Sequence, residues 1–240
     1  MLSELWPGGP HFAERRGVFP LGTDSVLLAH FASSSPVKKK KRAADLGCGS
    51  GIISILLAWG DPELLVDGVE LNPDAARLAA ENSRHSGLEK RISVIEGDIR
   101  RFREFLRAGA YDITVANPPY YAAGSGKRPV NPELADARSE ETCTLDDICR
   151  AAGHITRWGG SFMLVQKPER LADVFRTLNA GGFEPKRIRF VQYNSESPPN
   201  LVLVESRKGG KPSLKIEAPL LLTNDDGGDS DEVMAIYRRK

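Results

Sequence analysis

From about residue 42 onward, apolar and polar positions alternate between two patterns. Continuous apolar runs at 42–46 (RAADL), 64–71 (LLVDGVEL), 91–98 (RISVIEGD), 111–116 (YDITVA) and 159–166 (GGSFMLVQ) have the length and β-branched content of buried strands. Between them, apolar residues recur at three- and four-residue spacing over 51–59, 73–86, 144–156 and about 168–180, the period of helices. Asn72 before Pro73, with Gly87 closing the stretch, marks one helix at both ends, and Thr144 followed three residues later by Asp147 marks the start of another. Strand and helix in alternation predict an α/β fold with a mostly parallel, doubly wound sheet and helices on both faces. Near the C-terminus the runs at 186–193 and 200–206 are only six residues apart, too few for a parallel crossover, so they are expected to form an antiparallel pair. The count predicts seven strands.

A chain of 240 residues suits one core. It is expected to be a single domain, with an N-terminal segment (1–41), a catalytic core (42–206) and a C-terminal extension (207–240). Residues 122–141 are punctuated by glycine and proline and have little periodicity, which predicts a long functional loop. No apolar stretch approaches the roughly 20 residues that span a bilayer, and the N-terminus lacks a secretory pattern, so a cytoplasmic protein without a membrane partner is expected. Cys48, Cys143 and Cys149 form no Cys-x-x-Cys pair and the four histidines are scattered, so no metal is expected either. Lysine plus arginine number 33 against 32 acids, a balance that neither requires nor excludes a polyanion. Local clusters change that picture. Lys127 and Arg128 in the long loop, and Lys186, Arg187 and Arg189 in the penultimate strand, are candidate phosphate contacts for a nucleic acid.

The chemistry begins at DLGCGSG, residues 45–51, in the turn between the first core strand and its helix. Glycines there let a ligand approach the backbone, at the carboxyl end of a strand where open α/β sheets bind ligands. A dinucleotide fingerprint would need a glycine where Ile52 stands, and the Asp45 carboxylate would repel a pyrophosphate while suiting an ammonium group. Glu70 and Asp98 end the next two strands. Glu70 is placed to accept from ribose hydroxyls and Asp98 from an adenine amino group. The implied ligand carries adenosine and an amino-acid ammonium but no phosphate. A second motif, VANPPYY at 115–121, stops a strand at Asn117, because proline has no N–H for a sheet ladder.

DLGCGSG, Glu70, Asp98 and NPPY in this order resemble the class I S-adenosylmethionine-dependent methyltransferases. The resemblance implies a Rossmann-like methyltransferase fold and S-adenosylmethionine as cofactor. It further implies that Asp45, Gly47, Gly49, Gly51, Glu70, Asp98, Ile99 and Asn117 contact the cofactor. Within that fold NPPY resembles the motif of enzymes that methylate a planar amide or amino nitrogen. Asn117 and the carbonyl of Pro118 would hold the nitrogen, Pro119 would stiffen the turn, Tyr120 would stack on the base, and Tyr121 would lie at the substrate. The flanks, FPLGTDSVLLAHF at 19–31 with Thr23 and Asp24 as further cofactor contacts, LVQKPERL at 164–171 and PKRIRFV at 185–191, resemble bacterial tRNA adenine-N6 methyltransferases that act on an anticodon loop. The partner implied is RNA, specifically tRNA, and not DNA, since no stretch is long enough for a DNA-recognition domain. A glutamine methyltransferase would be expected to carry a larger N-terminal helical domain, and a non-catalytic relative would be expected to lose the acids or Asn117. A guanine-N2 rRNA enzyme is the alternative that shares all these motifs.

Overall fold

Crossover helices fix the direction of the strands. The computed structural model describes residues 2–15, 18, 21–37, 41–120 and 143–239. The core strands are β3 (Arg42–Leu46), β4 (Leu65–Glu70), β5 (Ile92–Glu96), β6 (Tyr111–Ala116), β7 (Thr156–Gln166), β8 (Phe183–Gln192) and β9 (Pro199–Lys208), preceded by β1 (Leu2–Glu4) and β2 (His11–Ala13). The helices are α1 (Thr23–Ser33), α2 (Ile52–Gly60), α3 (Pro73–His85), α4 (Leu145–Ile155), α5 (Leu171–Ala180) and α6 (Asp231–Ile236).

β3, β4, β5, β6 and β7 are mutually parallel, while β9 runs against both β7 and β8. The antiparallel C-terminal pair is therefore present. Among the described residues the sheet has nine strands, not seven: β10 (Lys215–Ile216) and β11 (Leu220–Leu221) add to the outer side of β8. Two-residue strands carry no periodicity, so nothing in the sequence marks them. The N-terminal hairpin of β1 and β2 forms a separate sheet. It is tied to α3 by Asn82, whose Oδ1 accepts from Ala13 N at 2.7 Å and whose Nδ2 donates to the Ser50 carbonyl at 3.0 Å.

Alternation along β7 divides the core. Met163 and Val165 pack with Leu27, Leu28 and Ile55 on the α1–α2 face, and Phe162 and Leu164 pack with Ile148, Ile155 and Leu178 on the α4–α5 face. Both helix starts marked in the sequence are capped by the marked residue. Asn72 Oδ1 accepts from Asp74 N at 2.9 Å, and Thr144 and Asp147 cap each other reciprocally. Each such cap is worth about 1 kcal/mol.

The β8 cations are bonded within the protein. Arg187 donates from Nε to Glu205 at 2.9 Å and from Nη2 to the Phe31 carbonyl at 2.9 Å, with its guanidinium over the Phe31 ring. Arg189 forms a two-pronged pair with Glu232, Nη2 to Oε2 at 2.7 Å, and Lys186 donates to the Lys211 carbonyl at 2.7 Å. These bonds tie α1, α6 and the segment around residue 211 to β8, so each of the three cations has a protein partner. Lys127 and Arg128 lie outside the described residues.

Candidate active site

β3 has β4 on one side and β6 on the other, and the chain reaches β6 only after forming β5. The carboxyl ends of β3 and β6 therefore border the point where the strand order reverses, where open α/β sheets form their ligand crevice. A cavity of about 230 Å³ opens there, lined by the glycine turn after β3, by Glu70, Asp98 and Ile99, and by Asn117, Pro118, Pro119 and Tyr120, with Asp24 and Ser25 of α1 across from them.

The glycine turn is held from beneath. Gly47 N and Cys48 N donate to the Val69 carbonyl at 2.8 and 3.0 Å, and Gly49 N donates to Glu70 Oε2 at 2.8 Å. Gly47 and Gly49 have φ of +77° and +55°, and a Cβ on either would meet no atom of the described residues within 4 Å. Both line the cavity, so their bare backbone is a cradle that a side chain would fill. Gly51 has a different role and does not line the cavity. At φ +84°, its Cβ would meet Ala79 Cβ at 3.1 Å, so it allows α2 to start against α3.

Glu70 accepts from Asn72 N at 2.8 Å as well as from Gly49, which fixes its plane; a carboxylate with about four lone-pair positions retains acceptor capacity towards the cavity. Asp98 is gripped by Arg100, Nη2 to Oδ2 at 2.6 Å, and this hydrogen-bonded guanidinium holds its carboxyl below the usual range. Asp45 is fully buried beneath the turn and is not a lining residue. Its Oδ2 accepts from Ser54 N at 3.1 Å and Oγ at 2.7 Å, while Oδ1 has no partner among the described residues. Burial, with Glu70 nearby, pushes its pKa up to about 7. An orphaned acceptor under the turn and a bare-backbone cradle above it fit a ligand with an ammonium group and disfavour a phosphate. Thr23 is also outside the lining, beside the Tyr237 phenol.

The Asn-Pro-Pro-Tyr turn is anchored at three points. Asn117 Nδ2 donates to Ser25 Oγ at 3.0 Å, the Pro119 carbonyl accepts from Gln166 Nε2 at 3.1 Å, and the Tyr120 hydroxyl donates to Asp24. The Lys167 ammonium lies 5.4 Å from the Tyr120 ring centroid. Asp24, expected at the cofactor, thus also holds the aromatic ring. Tyr121 is outside the described residues. Ser25 and Gln166 were missed by sequence reasoning. The only signal for Ser25 was its place after Thr23 and Asp24, and for Gln166 its being a lone amide at the end of an apolar run.

The model of the methyltransferase small domain family matches residues 12–180. A protein of Tolumonas auensis named tRNA1(Val) (adenine(37)-N6)-methyltransferase is 32% identical, over 94% of this chain and 91% of its own length. One of the same name from Aeromonas hydrophila is 35% identical, over 71% of this chain and 68% of its own. Among solved structures, a predicted O-methyltransferase from Agrobacterium tumefaciens superposes with a TM-score of 0.73 at 22% identity, covering 90% of this chain and 96% of that one. That last likeness speaks to the fold.

Proposed function

The chain belongs to the methyltransferase small domain family, among the tRNA1(Val) adenine-N6 methyltransferases, and from that premise we propose that it methylates N6 of an adenine in the anticodon loop of a tRNA, with S-adenosylmethionine as methyl donor. Gly47 and Gly49 would cradle the cofactor, Glu70 would take its ribose hydroxyls, Asp98 and Ile99 its adenine, and Asp45 would answer its ammonium from below. S-adenosylmethionine supplies a methyl group made electrophilic by its sulfonium.

The acceptor nitrogen is the harder problem. Its lone pair is delocalised into the adenine ring, so it is a poor nucleophile while planar. Asn117 Oδ1 and the Pro118 carbonyl would accept its two N–H bonds, hold it at the donor and stabilise its pyramidal form. The nitrogen becomes strongly acidic once methylated and loses its proton without a strong base. Tyr120 offers a face on which a base extruded from its own stack can rest.

The observation that carries this reading is the Asn117–Ser25 bond: with Nδ2 engaged by α1, the amide presents its oxygen for the substrate. Among the described residues no helix is long and apolar enough to cross a membrane. The experiment is transfer of tritiated methyl to unmodified tRNA and rRNA, followed by nucleoside analysis. N6-methyladenosine in tRNA is the expected product. N2-methylguanosine in rRNA, or label only in protein glutamine, would overturn the substrate.

A further inference from the structure

Two consecutive prolines leave positions 118 and 119 without backbone N–H groups, so the turn that carries the acceptor pair cannot be locked through its own donors there. Its carbonyls and side chains are the remaining handles. Asn117 and Tyr120 are held by α1 through Ser25 and Asp24. The carbonyl of Pro119 is held separately by Gln166, the last residue of β7, whose neighbouring strand β6 leads into the turn.

We propose that Gln166 is a positioning residue for methyl transfer: by holding the Pro119 carbonyl it sets the peptide plane between Pro119 and Tyr120, and so aims the Pro118 carbonyl and the Tyr120 ring at the substrate base. The inference rests on the reading of Asn117 and Pro118 as acceptors for an amino nitrogen.

The orientation of the Gln166 amide is determined by its neighbours. Oε1 accepts from the Lys167 backbone N–H at 2.8 Å, a group that can only donate, so Nε2 is the end that faces Pro119. The side chain is fully buried, at the end of a strand paired with β6 on one side and β9 on the other. A buried amide is costly unless both ends are bonded, and here both are. Sorting the carbonyls by partner gives the functional consequence. Pro119 is engaged by Gln166, while no described donor reaches Pro118 O or Asn117 Oδ1, the two atoms that the amino nitrogen needs. An acceptor pair misplaced by about 1 Å costs roughly 10²-fold in rate without a comparable loss of binding.

Two variants test it. Gln166→Met keeps the length of the side chain and its burial but removes the donor. Gln166→Asn keeps the amide but is one methylene too short to reach Pro119, and decides the matter if the methionine variant does not fold. Single-turnover rates on tRNA are measured with KM for tRNA and calorimetric affinity for S-adenosylmethionine. Both variants are expected to lose about 10- to 100-fold in rate, with KM and cofactor affinity within about twofold. Rates within twofold of wild type would overturn the proposal, as would a loss of cofactor affinity parallel to the loss of rate, since that marks general distortion. Wild-type protein in the same assay separates the two readings. If it methylates guanine or glutamine rather than tRNA adenine, the substrate reading fails, and the same rate comparison on that acceptor still decides the role of Gln166.

Discussion

Tyr120 donates its hydroxyl to Asp24, so the ring is fixed by the atom that stacking does not use. The two substitutions at this position therefore separate two effects. Tyr120→Phe keeps the stacking face and loses one anchor, a hydrogen bond of about 0.5–1.5 kcal/mol, so kcat should fall by roughly two- to tenfold. Tyr120→Ala removes stacking worth about 1–3 kcal/mol per base, and should weaken RNA capture as well as rate. Asn117→Ala should lose about 10²-fold or more in kcat with little change in either affinity, because its bond strengthens as the nitrogen leaves planarity. A Tyr120→Ala variant with unchanged KM for tRNA would remove the ring from base recognition. Asp45 supplies a prediction of another kind. Its folded pKa of about 7 lies above the ordinary carboxylate value of 3.8, so its contribution to the stability of the ligand-free protein is full below about pH 4 and is lost as pH rises through 7. Asn at 45 has no proton to lose, so melting temperatures followed from pH 5 to 8 should fall less for Asp45→Asn than for wild type; parallel curves would refute the assignment. Glu70, Asp98 and Asn117, which line the cavity, and Asp45 beneath its turn could be singled out because each stands in a local motif. Ser25 and Gln166 were not, because each acts across a sequence separation that only the fold closes, Ser25 to Asn117 over 92 residues and Gln166 to Pro119 over 47.

From residue 42 onward the long elements followed the hydrophobic period, whereas α1, buried on nearly every side, carries almost none. The helices capped by Asn72 and Thr144, the parallel strands of the core and the antiparallel pair at the end could all be read, since each buries a full apolar face whose spacing shows in the sequence. The N-terminal hairpin and the two-residue strands beside β8 could not, because they are fixed by contacts with α3 and the sheet edge. The glycine turn shows the limit of motif reading within one element. Its three left-handed glycines look alike in sequence, yet Gly47 and Gly49 face the cavity and Gly51 faces Ala79. Gly51→Ala combines left-handed strain of about 1–2 kcal/mol with a close contact to α3, and should lower stability by at least that amount. Gly49→Ala carries similar strain and also places a methyl group in the cavity, so its larger effect should be on S-adenosylmethionine affinity. Denaturant unfolding and calorimetry on the pair check this, and equal affinity losses for equal stability losses would erase the distinction.

Across the whole molecule, charge was the least legible property, because composition counts cations without showing what they face. The β8 cluster resembles a phosphate-binding stripe in sequence, and in the fold each of its cations bonds to a protein acceptor. Glu205 explains why. Its side chain is 3% exposed and accepts from Ser35 Oγ at 2.6 Å, Ser161 Oγ at 2.9 Å and Arg187 Nε at 2.9 Å, so a buried carboxylate at the junction of α1, β7 and β8 depends on Arg187 for its countercharge. Removing the arginine leaves that charge buried and uncompensated, which costs about 3–5 kcal/mol, whereas replacing both partners with neutral residues of similar volume costs much less. Arg187→Ala should therefore lower stability by that amount and leave the salt dependence of RNA binding unchanged, and Arg187→Met combined with Glu205→Gln should recover most of the loss. A phosphate contact makes the opposite prediction: little change in stability, and a slope of log affinity against log salt reduced by about one ion. Urea titrations and filter binding on the same two variants distinguish these outcomes, and a reduced slope with normal stability would return Arg187 to the RNA surface.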